Sequence, residues 1–344
     1  MMAASPALAI SLGAMAVLAY TPFQDRVAGV IYPSRWTTSE VTWNYFRPAT
    51  PPANVDTSSG TDPAAADTAV ARGFDVWDQT PLNGQTLTAL VITRGADLTG
   101  SSMRDPDSSD CRNIVSLAPS SSVAFSTGTI AQTFVTTITG TPPFSYSCTT
   151  GMLSRTANFP SVIVDADMMF NPAQPFSTST PPLAGHFDVQ SMAGHEAGHV
   201  LGLDHNGIAH TMMYPYGDTG DNQQRELGVD DVVGVAFLYP AAAFAAATGA
   251  ISGTVSLNGT GIFAAHLVVV ERDSGVVVMD GLSTPDGSYQ IVGVPPGTYR
   301  VLALPLSGVY TLANFVDWAC GYASNQDACT GIPQNPTDYT GTFH

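Results

Sequence analysis

"HEAGHVLGLDH", residues 195–205, sets three histidines and a glutamate within eleven positions of a chain that has seven histidines and four glutamates in all. His195 and His199 stand at i and i+4, so on a helix they project from one face, one turn apart. Neutral imidazoles at that separation can take two corners of a tetrahedral zinc ion. Glu196 is turned roughly 100° around the helix from His195, beside the open corner, where it can reach a water without ligating the metal. His205 cannot come from the same straight helix, because it would face away after another turn and a half. The chain must stop and fold back, and Gly202 supplies the positive φ that does this at low cost. Gly198 costs the helix about 1 kcal/mol and is expected to make room for a bulky neighbour.

Working outward, "FDVQSMAGHEAGHVLG" reads as the helix carrying this run, with Asp188 as its N-cap. "GVDDVVGVAFLYP" (228–240) reads as a later helix stopped by Pro240. An earlier one starts at Asp62-Pro63, where Ala66, Val70, Phe74 and Trp77 recur at helical spacing. "EVTWNYF" (40–46), "TLTALVI" (86–92) and "SVIVDADMMF" (161–170) read as strands, and residues 95–113 as a long polar loop. The Ala-rich stretch 241–250 is expected to be an exposed linker. Beyond it, short strands between Gly/Pro turns predict a small β-sandwich over 251–306, its core built from Leu267, Val269, Tyr289, Ile291, Tyr299 and Val301. A chain ending near Ala243 is therefore expected to fold without it. Residues 307–344 read as a loop-rich C-terminal segment.

With 344 residues and 44% hydrophobic composition the chain can bury a full core, in two domains. A net charge of -17, with all eleven basic residues arginine, argues against nucleic acid or an anionic membrane as partner. "ALAISLGAMAVLAY" (7–20) is an apolar run with Ala16 and Ala19 placed for a peptidase. It predicts a signal peptide over 1–19 and a secreted protein, although Met1–Pro6 carry no Lys or Arg. An uncleaved membrane anchor or a misassigned start is the alternative. Four cysteines fit an oxidising compartment, with Cys320 paired to Cys329 and Cys111 to Cys148.

HExGHxxGLDH followed by "TMMYP" (211–215) resembles the matrixins, the matrix metalloproteinase branch of the metzincin zinc endopeptidases. "RWTTSEVTWNYF", "FDVWDQT", "HFDVQSMAGHE" and "LGVDDVVGVAFLYP" are similar to matrixin segments in the same order, over about residues 30–240. The resemblance implies an α+β catalytic domain over 20–240, a twisted mixed sheet with three helices, followed by the small all-β sandwich. It implies one catalytic Zn2+ held by His195, His199 and His205, with Glu196 as general base. Met213 would be the Met-turn residue, and Tyr214 and Pro215 would line the S1′ pocket. Met212 is the competing register, but Met-Tyr-Pro favours Met213. The implied activity is that of a secreted, monomeric zinc endopeptidase acting on proteins or peptides.

There are departures from the family pattern. Nothing like PRCGxPD precedes the catalytic segment, so latency by a cysteine thiolate is not expected. Histidines for a second, structural zinc are missing upstream of 186. His186, His210 and His266 read as ordinary histidines. Ca2+ is expected, if anywhere, at Asp105, Asp107 and Asp110 or at Asp165 and Asp167. Residues 250–304 resemble carboxypeptidase regulatory-like sandwich modules. The rival reading is an extracellular adhesion protein with an idle metzincin domain; an intact Glu196 argues against it.

Overall fold

Strand Glu40–Tyr45 buries Val41, Trp43 and Tyr45 while Glu40 and Thr42 face solvent, the period-two pattern of a strand covered on one face. The computed structural model, which describes residues 21–56, 63–78, 81–148, 154–306, 310–325 and 329–343, places this strand in a five-stranded mixed sheet. The order is Val91–Arg94, Glu40–Tyr45, Asn113–Ser116, Ser161–Phe170 and Ala131–Thr139. The first four run parallel, and the last pairs antiparallel at the edge. Ser161–Phe170 is buried at every position, because small apolar clusters cover the sheet face away from the main core. That double cover explains its near-continuous apolar sequence. The leader 1–19 and the cap residue Asp62 lie outside the described residues.

Three helices fall where periodicity places them: α1 (Pro63–Asp75), α2 (Val189–Val200) and α3 (Val229–Leu238). α1 and α2 cross at two glycines; a Cβ on Gly73 would come 2.6 Å from the backbone nitrogen of Gly194. Phe74 stacks on Trp43 at 4.4 Å between centroids, and Trp77 Nε1 donates to the Gly194 carbonyl at 2.8 Å, so α1 locks α2 to the sheet. α3 is tied to the end of α2 by Tyr239, whose hydroxyl donates to Leu201 O at 2.8 Å.

The strand expected over 86–92 runs instead over Val91–Arg94. Residues 87–90 turn aside to the chain after α3, with Ala89 N and Thr88 Oγ1 both donating to Tyr239 O. Both predicted disulfides, Cys111–Cys148 and Cys320–Cys329, are present.

After Pro240 the chain does not run free. Within the stretch 241–250, residues Phe244–Ala247 form a short helix, α4, that buries Phe244, while Ala242, Ala245, Ala246, Gly249 and Ala250 are exposed. Gly293 sits against Val233 of α3 and against Phe244, with no room there for a side chain. Beyond α4, Gly249–Thr254 pairs with Ser288–Val294, and Val277–Leu282, His266–Glu271, Tyr299–Leu304 and Thr342–Phe343 form a four-stranded antiparallel sheet. Leu267, Val269, Ile291 and Val301 are buried, and Tyr289 and Tyr299 half-buried. These residues do not make a separate core. One apolar cluster runs from Trp43 and Phe74 through Val233 and Phe244 to Leu267 and Ile291. A short helix, α5 (Val316–Cys320), then returns to the N-terminal hairpin Gln24–Val27/Val30–Pro33, where Gln24 Nε2 donates to Trp318 O at 2.6 Å.

Candidate metal centre

α2 is nucleated at Asp188, whose Oδ2 accepts from Ser191 N and Ser191 Oγ at 2.8 Å each and whose charge is met by Arg225. Nearly the whole helix is buried. It ends in a Schellman turn: Gly202, at φ +99°, donates to His199 O, and Leu203 N donates to Gly198 O, each at 3.0 Å. A Cβ on Gly202 would lie 2.6 Å from Ser34 O, so conformation and space both demand glycine. The reversal swings His205 back over α2. His195, His199 and His205 each offer a ring nitrogen within 4.8 Å of the others.

Every one of these rings is oriented by a backbone carbonyl. His195 Nδ1 meets Met212 O, His199 Nδ1 meets Leu203 O, and His205 Nδ1 meets Asn314 O, all at 2.7 Å. A carbonyl only accepts, so Nδ1 carries the proton in all three and Nε2 keeps its lone pair. Burial, reinforced for His195 and His199 by neighbouring imidazoles, holds His195 down to about 3, His199 well below its ordinary value and His205 down to about 4. The three imidazoles are neutral at neutral pH. Three convergent, neutral, carbonyl-oriented nitrogens fit zinc.

Glu196 is buried beside them, and Thr133 Oγ1 donates to its Oε2 at 2.7 Å. Burial pushes the Glu196 carboxyl up to about 7, against the Thr133 hydrogen bond, which lowers it. Thr133 belongs to the edge strand Ala131–Thr139, which sequence reading missed altogether. A cleft of about 510 Å³ opens over the histidines between this strand and Tyr214-Pro215.

Met212 and Met213 are both buried. Met213 fills the space left by Gly198, and the Met212 side chain packs at Gly194. The turn is hung on α3: Asp231 Oδ2 accepts from Met212 N at 2.9 Å and Oδ1 from Met213 N at 3.2 Å. Asp231 escaped sequence reading, although an acid three residues after Gly228 is a helix-start signal.

The calcium expectation finds no support. Among the described residues the histidine triad is the one group of three placed to share an ion. Asp165 and Asp167 instead accept backbone N–H groups from Arg112, Asp107 and Ile114, pinning the 105–114 loop to the sheet. Asp105 accepts from Ser120 N across the loop, and Asp107 closes a local turn by accepting from Ser109 N. His266 pairs with Asp280, His186 is half-buried and His210 is exposed.

Residues 123–240 match the Matrixin family, Peptidase M10. Two plant proteins from Arabidopsis thaliana are similar over shorter stretches. Metalloendoproteinase 2-MMP is 44% identical over 54 residues, 16% of this chain and 14% of that protein. Metalloendoproteinase 5-MMP is 40% identical over 58 residues, 17% of this chain and 16% of its own length. The chain thus spans less than a fifth of each relative it matches. The family match and these relatives together support a matrixin-type metalloprotease, and the matrixin match implies zinc.

Proposed function

We propose that this protein is a secreted zinc endopeptidase in which His195, His199 and His205 hold the metal and Glu196 is the general base. The observation that carries the reading is the convergence of three neutral, carbonyl-oriented imidazoles beside a buried carboxylate in an open cleft. Zinc, when bound, supplies a Lewis acid that polarises a carbonyl and lowers the pKa of water. Thr133 holds Glu196 Oε2, leaving Oε1 to take a proton from water and return it to the leaving amine. The edge strand Ala131–Thr139 has no strand on its outer side among the described residues, so an extended peptide can lie along it by adding main-chain hydrogen bonds. Tyr214 and Pro215 wall the cleft at the point where a side chain of that peptide would enter, and Met213 packs against Gly198 of α2.

Two disulfides support export to an oxidising compartment, with residues 1–19 as the leader removed on the way. Among the described residues no helix is long and apolar enough to cross a membrane. The antiparallel sheet over 266–304 supports a regulatory-like sandwich appended to the protease.

The test is metal analysis of the purified protein together with peptide-library cleavage, with and without chelator. One zinc per chain and chelator-sensitive cleavage are expected. Zinc-free protein, or cleavage that survives chelation, overturns the reading.

A further inference from the structure

Two of the three ring-orienting carbonyls, Met212 O and Leu203 O, lie within the segment that matches the matrixin family. The third does not. His205 Nδ1 donates to Asn314 O, 109 residues downstream. The surrounding loop is anchored from the same outside regions. Trp318 N donates to Asp204 Oδ2 at 3.0 Å, and Gly207 N donates at 2.6 Å to Asp280 Oδ2, which also meets His266 Nε2. Asn314 is itself built into place. Its Oδ1 accepts from Thr311 N, closing the turn Leu312–Phe315, and its Nδ2 donates to Tyr216 Oη, each at 2.9 Å. One residue therefore couples the third histidine to the loop just past Pro215. Asn314 also lines the cleft, with Ala313 and Asp317 beside it.

We propose that Asn314 is a positioning residue of the metal centre and that the turn carrying it belongs to the catalytic unit. This rests on the reading that the histidine triad holds zinc. A carbonyl on Nδ1–H fixes the tautomer and rotation of the ring and raises the basicity of Nε2. Loss of such a partner typically weakens metal binding about 10–100-fold. The carbonyl cannot be deleted by substitution, but the side-chain bonds that hold it can.

The experiment compares full-length wild type with Asn314→Ala, Asn314→Asp and Tyr216→Phe. Zinc affinity is read by competition with a chromophoric chelator, and the cobalt(II)-substituted proteins by visible absorption. Asn314→Ala is expected to raise the zinc Kd at least about tenfold, shift the cobalt bands and lower kcat with little change in KM. Asn314→Asp keeps the acceptor for Thr311 N and should restore much of the affinity. Tyr216 is exposed, so Tyr216→Phe leaves folding out of the comparison. It should weaken zinc in the same direction, and it decides the matter if Asn314→Ala does not fold. Wild-type protein that binds no zinc, or a His195→Ala variant that keeps it, overturns the triad reading. A zinc-binding wild type with unchanged affinity and cobalt spectra in the Asn314 and Tyr216 variants overturns the positioning role alone.

Discussion

Gly198 lies so close against Met213 that a Cβ at 198 would run into the methionine sulfur and sit 2.9 Å from the Trp77 ring. The glycine that weakens α2 is what lets the methionine seat against it. Gly198→Ala recovers about 1 kcal/mol of helix propensity but overpacks a buried site, which typically costs about 1–3 kcal/mol. The expected outcome is a lower Tm and weaker zinc binding, since the displaced Met213 lies next to Met212, whose carbonyl orients His195. Thermal melts with and without zinc measure both; an unchanged Tm would mean the methionine is not packed as described.

Glu196→Ala should leave zinc content at one per chain and reduce peptide turnover by about 10²–10⁴-fold, the usual contribution of a general base. Metal analysis and single-turnover cleavage of the same sample separate the two effects. Retention of a tenth or more of wild-type turnover, or loss of zinc, would assign the carboxylate another role.

Asp165 and Asp167 sit in the same strand, both fully buried, with Asp165 Oδ1 lacking any hydrogen bond. Burial is the largest cause that raises both carboxyls, Asp165 to about 8 with help from the Asp167 and Asp110 charges, and Asp167 to about 7. Because these values lie above the unfolded carboxylate range near 4, the folded state binds the protons more tightly. The resulting stability is complete below that range and is lost as pH rises through 7 to 8. Tm should therefore fall from about pH 4 to about pH 8 in wild type and level off above, and Asp165→Asn should flatten the fall, gaining most over wild type at the alkaline end. Parallel Tm–pH curves for the two proteins would refute this.

A chain ending near Ala243 loses the partners of Val233, the Asp280 acceptor for Gly207 N and the Asn314 carbonyl together. Sequence reading alone expects such a fragment to fold and work. The continuous core reverses that expectation: the fragment should melt without cooperativity or bind zinc far more weakly than the full chain. Circular dichroism and zinc titration of the fragment decide, and full-strength zinc binding would restore the protease as a separable unit.

What could be read in the residues was what is local. Helical spacing exposes His195, His199 and Glu196, and Gly202 announces the reversal to His205, because all four depend on backbone geometry within a few turns. The edge strand Ala131–Thr139 was invisible for a physical reason. Gln132, Thr133, Thr136 and Thr137 interrupt any apolar alternation, since an edge strand beside a cleft is only half-buried on either face. Thr133 went unseen with it. Asn314 had no signal at all: its contribution to the site is a main-chain carbonyl, which every residue type possesses. The joined core was equally hidden, because an apolar residue's partner cannot be read from its identity.

The distance along the chain between His205 and Asn314 has a consequence in time. During synthesis the three histidines leave the ribosome about a hundred residues before the carbonyl that orients the last of them. A centre that needs residue 314 cannot be complete before residue 314 has been made. On the proposed positioning role, the growing polypeptide carries all three histidines for an interval in which the last of them has no carbonyl to orient it.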